Sequence, residues 1–117
     1  MKTETRLHIA VAELLGWILP PSAQWTTFNA GNVEMPPKVG RMLKAMGLQT
    51  GWPDIQIVFG GAIFGLELKS PKGKTQASQD ERFPLLRAAG MRIAIARSTD
   101  DVLNILREWQ IPTRIAD

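Results

Sequence analysis

Two strand-like runs, 54–59 and 62–69, are joined by nothing but Gly60-Gly61, and this pairing constrains the chain more than any other feature. Two consecutive glycines supply the positive φ angles that a two-residue hairpin turn needs, so the runs are expected to fold back as adjacent antiparallel strands. With that turn and no bulge, opposed residues have numbers that sum to 121: Phe59 faces Ala62, Val58 faces Ile63 and Asp54 faces Glu67. Side chains alternate along a strand, so Ile55, Ile57, Phe59, Phe64, Leu66 and Leu68 share one apolar face. Asp54, Glu67 and Lys69 share the other, which this reading leaves towards water.

The rest of the chain supplies elements to pack on that hairpin. Leu7, Ala10, Val11, Leu14 and Ile18 recur at helical spacing, predicting a helix over 4–18 with Thr3 as N-cap, ended by Pro20-Pro21. A short strand is expected over 24–28, a helix from Pro36-Pro37 to about Met46, and a loop over 47–53. After the basic loop SPKGKTQ, a helix over about 78–89 is expected, with Ser78 and Glu81 at capping-box spacing and Pro84 awkward in its interior. A strand over 91–96 follows, then a helix capped by Thr99 or Asp100 that carries Val102, Leu103, Leu106 and Trp109 on one side. This order predicts an α/β fold: a mixed sheet flanked by helices, whose last strand-helix-strand step is parallel and right-handed.

Absent residue types exclude whole reaction classes. No cysteine or tyrosine occurs among the 117 residues, and His8 is the only histidine. Thiol nucleophiles, thiolate or multi-histidine zinc sites, two-histidine ribonuclease chemistry and tyrosine strand transfer are all ruled out. Carboxylates with a hard metal remain the natural tools of an enzyme made from this set. A net charge of +3 and a pI near 9.7 favour an acidic partner such as nucleic acid. No run approaches the roughly 18 apolar residues of a membrane span, so one soluble, cytoplasmic domain over 1–117 with no membrane partner is expected.

The facing acids carry the chemistry. Opposed residues have Cβ atoms roughly 5 Å apart, where two like charges repel by about 3 kcal/mol at an effective dielectric of 20. A divalent cation offsets that repulsion, and magnesium binds carboxylate oxygens while keeping waters and accepting substrate phosphate. Lys69, two residues beyond Glu67 on the same face, is placed to orient an attacking water or to stabilise charge on a phosphate. Glu4 lies about 50° from the centre of the first helix's apolar stripe, and Glu13 about 130° away, at 100° per residue. Glu4 is thus an acidic site candidate and Glu13 a solvent residue. Gln79, one turn before Phe83, is expected to face inward.

Trp52-Pro53-Asp54, followed by Glu67-Leu68-Lys69, resembles the PD-(D/E)XK nuclease motif. With Glu4 and Leu7-His8, Phe28-Asn29-Ala30-Gly31, Lys44 to Asp54 (KAMGLQTGWPD), Glu67 to Gly73 (ELKSPKG) and Gln79, the chain resembles the VRR-NUC branch over nearly its whole length. The resemblance implies a restriction-endonuclease-like core and a stand-alone phage or bacterial nuclease. It further implies a homodimer that cuts branched DNA, with Holliday junctions the favoured substrate, and a possible replication or repair partner. By position, Asp54, Glu67 and the Leu68 carbonyl would ligate Mg2+, with Mn2+ as substitute; Lys69 would serve the attacking water and Gln79 would support the site. Two positions depart from the pattern: Gln76, where a helix-starting serine is common, and His8, where glutamine is common.

Blander roles stand beside these. Pro-Asp alone is usually a turn, Glu-Leu-Lys a solvated strand, and an acid in a first helical turn often only complements the helix dipole. His8 reads as a helix-border residue and Asn29 as a turn former. Lys38, Arg41, Lys44, Lys72 and Lys74 are phosphate-contact candidates or ordinary solvated charge. The four tryptophans suit either core or a subunit interface. A nuclease for flaps, single strands or RNA, and a non-catalytic DNA-binding module, remain open alternatives.

Overall fold

The computed structural model describes residues 2–28 and 35–114. Its elements run α1 (Thr3–Ile18), β1 (Gln24–Thr27), α2 (Pro37–Ala45), β2 (Ile55–Phe59), β3 (Ala62–Leu68), α3 (Ala77–Ala88), β4 (Arg92–Ala96) and α4 (Thr99–Glu108). Asn29, Ala30 and Gly31 of the predicted turn lie outside the described residues.

The hairpin forms in the expected register. Ile55 pairs with Leu66, Ile57 with Phe64 and Phe59 with Ala62, around a turn in which Gly60 and Gly61 hold φ of 60° and 78°. Both angles are positive, as a type I′ turn requires and as side chains other than glycine resist. β1 adds antiparallel to β2 and β4 adds parallel to β3, giving one mixed four-stranded sheet in sequence order.

The two faces of the sheet are covered differently. On one, Ile55, Ile57, Phe64, Leu66 and Leu68 are buried with Val11, Leu15 and Ile18 of α1 and Val102, Ile105 and Leu106 of α4. Each such side chain contributes about 1.5–3 kcal/mol on leaving water, so this layer supplies most of the hydrophobic stabilisation. On the other, α3 and the strand end of β4 close a smaller cluster of Phe83, Leu86 and Met91, with Trp52 and Ile93 against it. Ile93 pairs with Gly65, one residue out of phase with the core-facing Phe64 and Leu66, which places this cluster across the sheet. α2 buries no residue at all.

Three helix starts differ from expectation. Thr3 lies inside α1, with Lys2 at the cap position and no capping side chain. α3 begins at Ala77 with Gln76 as N-cap, and the Gln79 side chain accepts from the Gln76 N–H at 3.1 Å, so the capping interaction is Gln76/Gln79 rather than Ser78/Glu81. Ser98 caps α4, accepting from the Asp101 N–H at 3.0 Å, in place of Thr99 or Asp100. In the last two cases the residue just before the helix is extended and lies next to the free N–H groups of the first turn, whereas the residues predicted as caps are already helical. Pro84 is accommodated within α3, which runs on to Ala88 with this residue exposed.

Among the described residues, no helix is long and apolar enough to cross a membrane. Trp25 and Trp109 pack against the main core and Trp52 against the smaller cluster, whereas Trp17 is 78% exposed.

Candidate active site

Asp54 sits immediately before β2 and Glu67 near the end of β3, so the hairpin register that builds the core also brings the two carboxylates together. The Asp54 N–H donates to Glu67 Oε1 at 3.2 Å, and Asp54 Oδ2 accepts from the Leu68 N–H at 2.8 Å. Lys69 Nζ lies 3.2 Å from Glu67 Oε2, the same oxygen that accepts from the Gln79 side-chain amide. Gln79 therefore has two tasks. Its Oε1 ties down the start of α3 and its Nε2 fixes the orientation of Glu67.

The expectation that these groups face water is corrected. Asp54, Glu67 and Lys69 are 4%, 1% and 4% exposed, because α3 and the loop before β2 close over this end of the sheet. The loop comes close at Gly51, which holds φ +83° and where a Cβ would lie 2.2 Å from the Ser78 carbonyl oxygen. No other residue allows that approach.

Burial changes the electrostatics. Desolvation, then the neighbouring Asp54 charge, pushes Glu67 up to about 7, against the opposing pull of Lys69 and Gln79. Burial likewise raises Asp54 above the ordinary carboxylate range, opposed first by the Leu68 N–H. A lysine and an amide thus leave part of the pair's charge uncompensated, the condition in which a cation with a preference for oxygen ligands is stabilising.

The remaining predicted residues surround this core. Leu68 lines the cleft and supplies its N–H to Asp54. Glu4 is half-buried on the same cleft, but its Oε1 accepts a long 3.4 Å bond from the Ser70 N–H. It therefore braces the loop after Lys69; among the described residues, no three acidic or histidine side chains gather into a metal cage. Arg97 holds the same loop, donating to the Ser70 and Gly73 carbonyls at 2.7 Å each. Glu13 is exposed, as its position on α1 predicts.

Thr27, Phe28, Trp52 and Arg97 are contributors that the sequence did not single out for the site. Thr27 donates to the Asp54 carbonyl at 3.1 Å and shares a 2.8 Å hydrogen bond with His8 Nε2, which links the half-buried His8 of α1 to the site. The one usable signal was the spacing of Glu4 and His8 on a single helical face. Phe28 and Trp52 form an apolar part of the cleft, their ring centroids 5.8 Å apart and planes at 65°. No pattern distinguishes them from core aromatics. Arg97, far along the chain, carried no signal.

The cleft above Glu67 encloses about 310 Å³. Two carboxylates, a lysine and an amide at its floor suit hydrolysis of a phosphate ester.

No family model matches the chain, and no curated protein matches it in sequence. In backbone structure it is similar to a solved VRR_NUC domain protein, with a TM-score of 0.69 over 96% of this chain and 92% of that one, at 18% identity. Register, helix placement and backbone agreement lead to one conclusion: the chain has the mixed-sheet, restriction-endonuclease-like fold of a VRR_NUC domain protein.

Proposed function

We propose that this chain is a magnesium-dependent endodeoxyribonuclease that hydrolyses phosphodiester bonds in branched DNA and resolves four-way junctions as a homodimer. The observation that carries the reading is the Asp54–Glu67 pair, buried side by side with Lys69 against it.

The residues present fit a hard divalent cation. All its donors would be oxygens, from Asp54, Glu67 and the Leu68 carbonyl, and the raised Glu67 and Asp54 mark a charge pair that a cation would relieve. When bound, magnesium supplies Lewis-acid polarisation of the scissile phosphate. The protein's own groups do the rest. Lys69 places its ammonium beside Glu67, where it orients the attacking water and stabilises developing negative charge. Gln79 prevents Glu67 from turning away, and the Leu68 N–H does the same for Asp54. Burial of the three charged groups strengthens each of these interactions. A two-fold dimer would present two such sites to opposed strands of a junction.

The test is cleavage of labelled four-way junction, flap, single-stranded and linear duplex DNA with Mg2+, alongside an EDTA control, Asp54→Asn and Lys69→Ala. Asparagine is the better probe at position 54, because alanine would strand the buried Leu68 N–H. Paired, Mg2+-dependent cuts in the junction that fall at least about hundredfold in both variants support the reading. Well-folded wild-type protein that binds DNA and cuts none of the four substrates overturns it in favour of a binding module.

A further inference from the structure

Asp54, Glu67 and Lys69 lie at the floor of a cleft of about 310 Å³. That is the small end of pockets for single small ligands, roughly 300–1,000 Å³. A single nucleotide fits a space of that size. A nucleotide whose phosphate reaches the floor and whose base has left the helix needs a new surface to stack on.

The cleft offers a replacement for that lost stacking. Phe28 lines the same cleft and is 43% exposed. Its edge meets Trp52, which is itself anchored against the Phe83, Leu86 and Met91 cluster. Both rings are tied to the catalytic aspartate. The Phe28 N–H donates to the Asp54 carbonyl at 2.8 Å, and Trp52 is two residues before Asp54. Aromatic surface held at a set distance from a phosphate-binding floor is what recognition of an unpaired base requires, and it is tolerant of sequence because every base has a π face.

Resting on the nuclease reading, we propose that Phe28 and Trp52 form a stacking shelf for an unpaired base next to the scissile phosphate, and that the enzyme cuts a DNA strand where it has left its duplex. A flap or a single-stranded tail at a branch is one such place. The shelf then determines specificity for DNA structure without reading sequence.

The experiment measures binding in EDTA, where no cleavage occurs, by fluorescence anisotropy with two labelled chains of equal length. One is oligo-dT and the other a fully abasic deoxyribose-phosphate chain. Wild-type protein is expected to bind oligo-dT about tenfold more tightly, the contribution of roughly one stacked base. Phe28→Ala should lose most of that preference and bind the abasic chain as wild type does. Phe28→Leu, which keeps apolar bulk and removes the ring, provides the same comparison should the alanine variant fail to fold. Equal wild-type affinity for the two chains overturns the shelf, as does either variant retaining the full preference. Wild-type protein that cuts junctions yet binds both chains equally keeps the nuclease reading and loses this one. Protein that prefers the bases but cuts nothing has a base-binding shelf and no nuclease.

Discussion

Asp54, Glu67 and Lys69 are as deeply buried as the core side chains across the β2–β3 hairpin, for opposite reasons, while Val58 and Ile63 on their own face stay exposed. On the core face, Ile55, Ile57, Leu66 and Leu68 leave water and stabilise the fold. On the other, Asp54, Glu67 and Lys69 leave water at a cost, offset only in part by Lys69, Gln79 and backbone N–H groups. Burial is thus no sign of a core by itself. The same two strands, read one residue out of phase, carry stability on one side and stored electrostatic potential on the other.

The sharpest break in this comparison separates activity from stability. Asp54→Asn should lower cleavage at least about hundredfold while leaving urea-induced unfolding unchanged or slightly shifted towards greater stability, since it removes a charge repelled by Glu67. Leu66→Ala, on the opposite face, should cost about 2–5 kcal/mol of unfolding free energy in the same titration. A destabilisation of that size from Asp54→Asn would mean that the charged face, too, is held together mainly for the fold.

A smaller effect lies in pH. Glu67 is raised from its ordinary 4.5 to about 7, so between those values the folded protein holds a proton that the unfolded chain has released. Stability should therefore fall as pH rises from about 4.5 to 7 and level off above, by about 3 kcal/mol at most. Asp54, also raised, acts in the same direction. Unfolding midpoints across this range test the slope, and Glu67→Gln should flatten it. Added Mg2+ should raise the midpoint at pH 8 and have little effect at pH 5, where the proton already occupies the pair.

The smallest effect concerns α2. Lys38, Arg41 and Lys44 are exposed and make no ion pair among the described residues, and Met35 and Leu48, on either side of this helix, line the cleft. Replacing all three cations by alanine should reduce the slope of log Kd against log salt by roughly 2 for a single strand, while base preference persists. An unchanged slope would assign these residues to ordinary solvated charge.

How much of this was legible beforehand varies by element. The hairpin's turn and register were readable, because its glycine pair and period-two alternation are local signals that leave one register, although β2 and β3 stop one residue short of Asp54 and Lys69. The inward direction of Gln79 and the outward direction of Glu13 followed from helical spacing alone. Helix starts were less legible, since several polar residues near each boundary compete for the cap and a difference of one residue in backbone geometry selects among them. Glu4 marks the limit of periodicity: the correct helix face does not reveal that its carboxylate is bonded to the Ser70 N–H.

By itself, then, the amino-acid sequence determined the strand pairing, the facing of Asp54 and Glu67 and the adjacency of Lys69, because these depend on contacts between residues close along the chain. Only the tertiary structure decided that α3 and the Gly51 loop bury the charged trio, that Gln79 reaches Glu67, that Arg97 holds the Ser70 loop and that Phe28 and Trp52 meet above the site. Those contacts join residues distant in sequence, and they arise from how separate elements pack, for which local spacing carries no information.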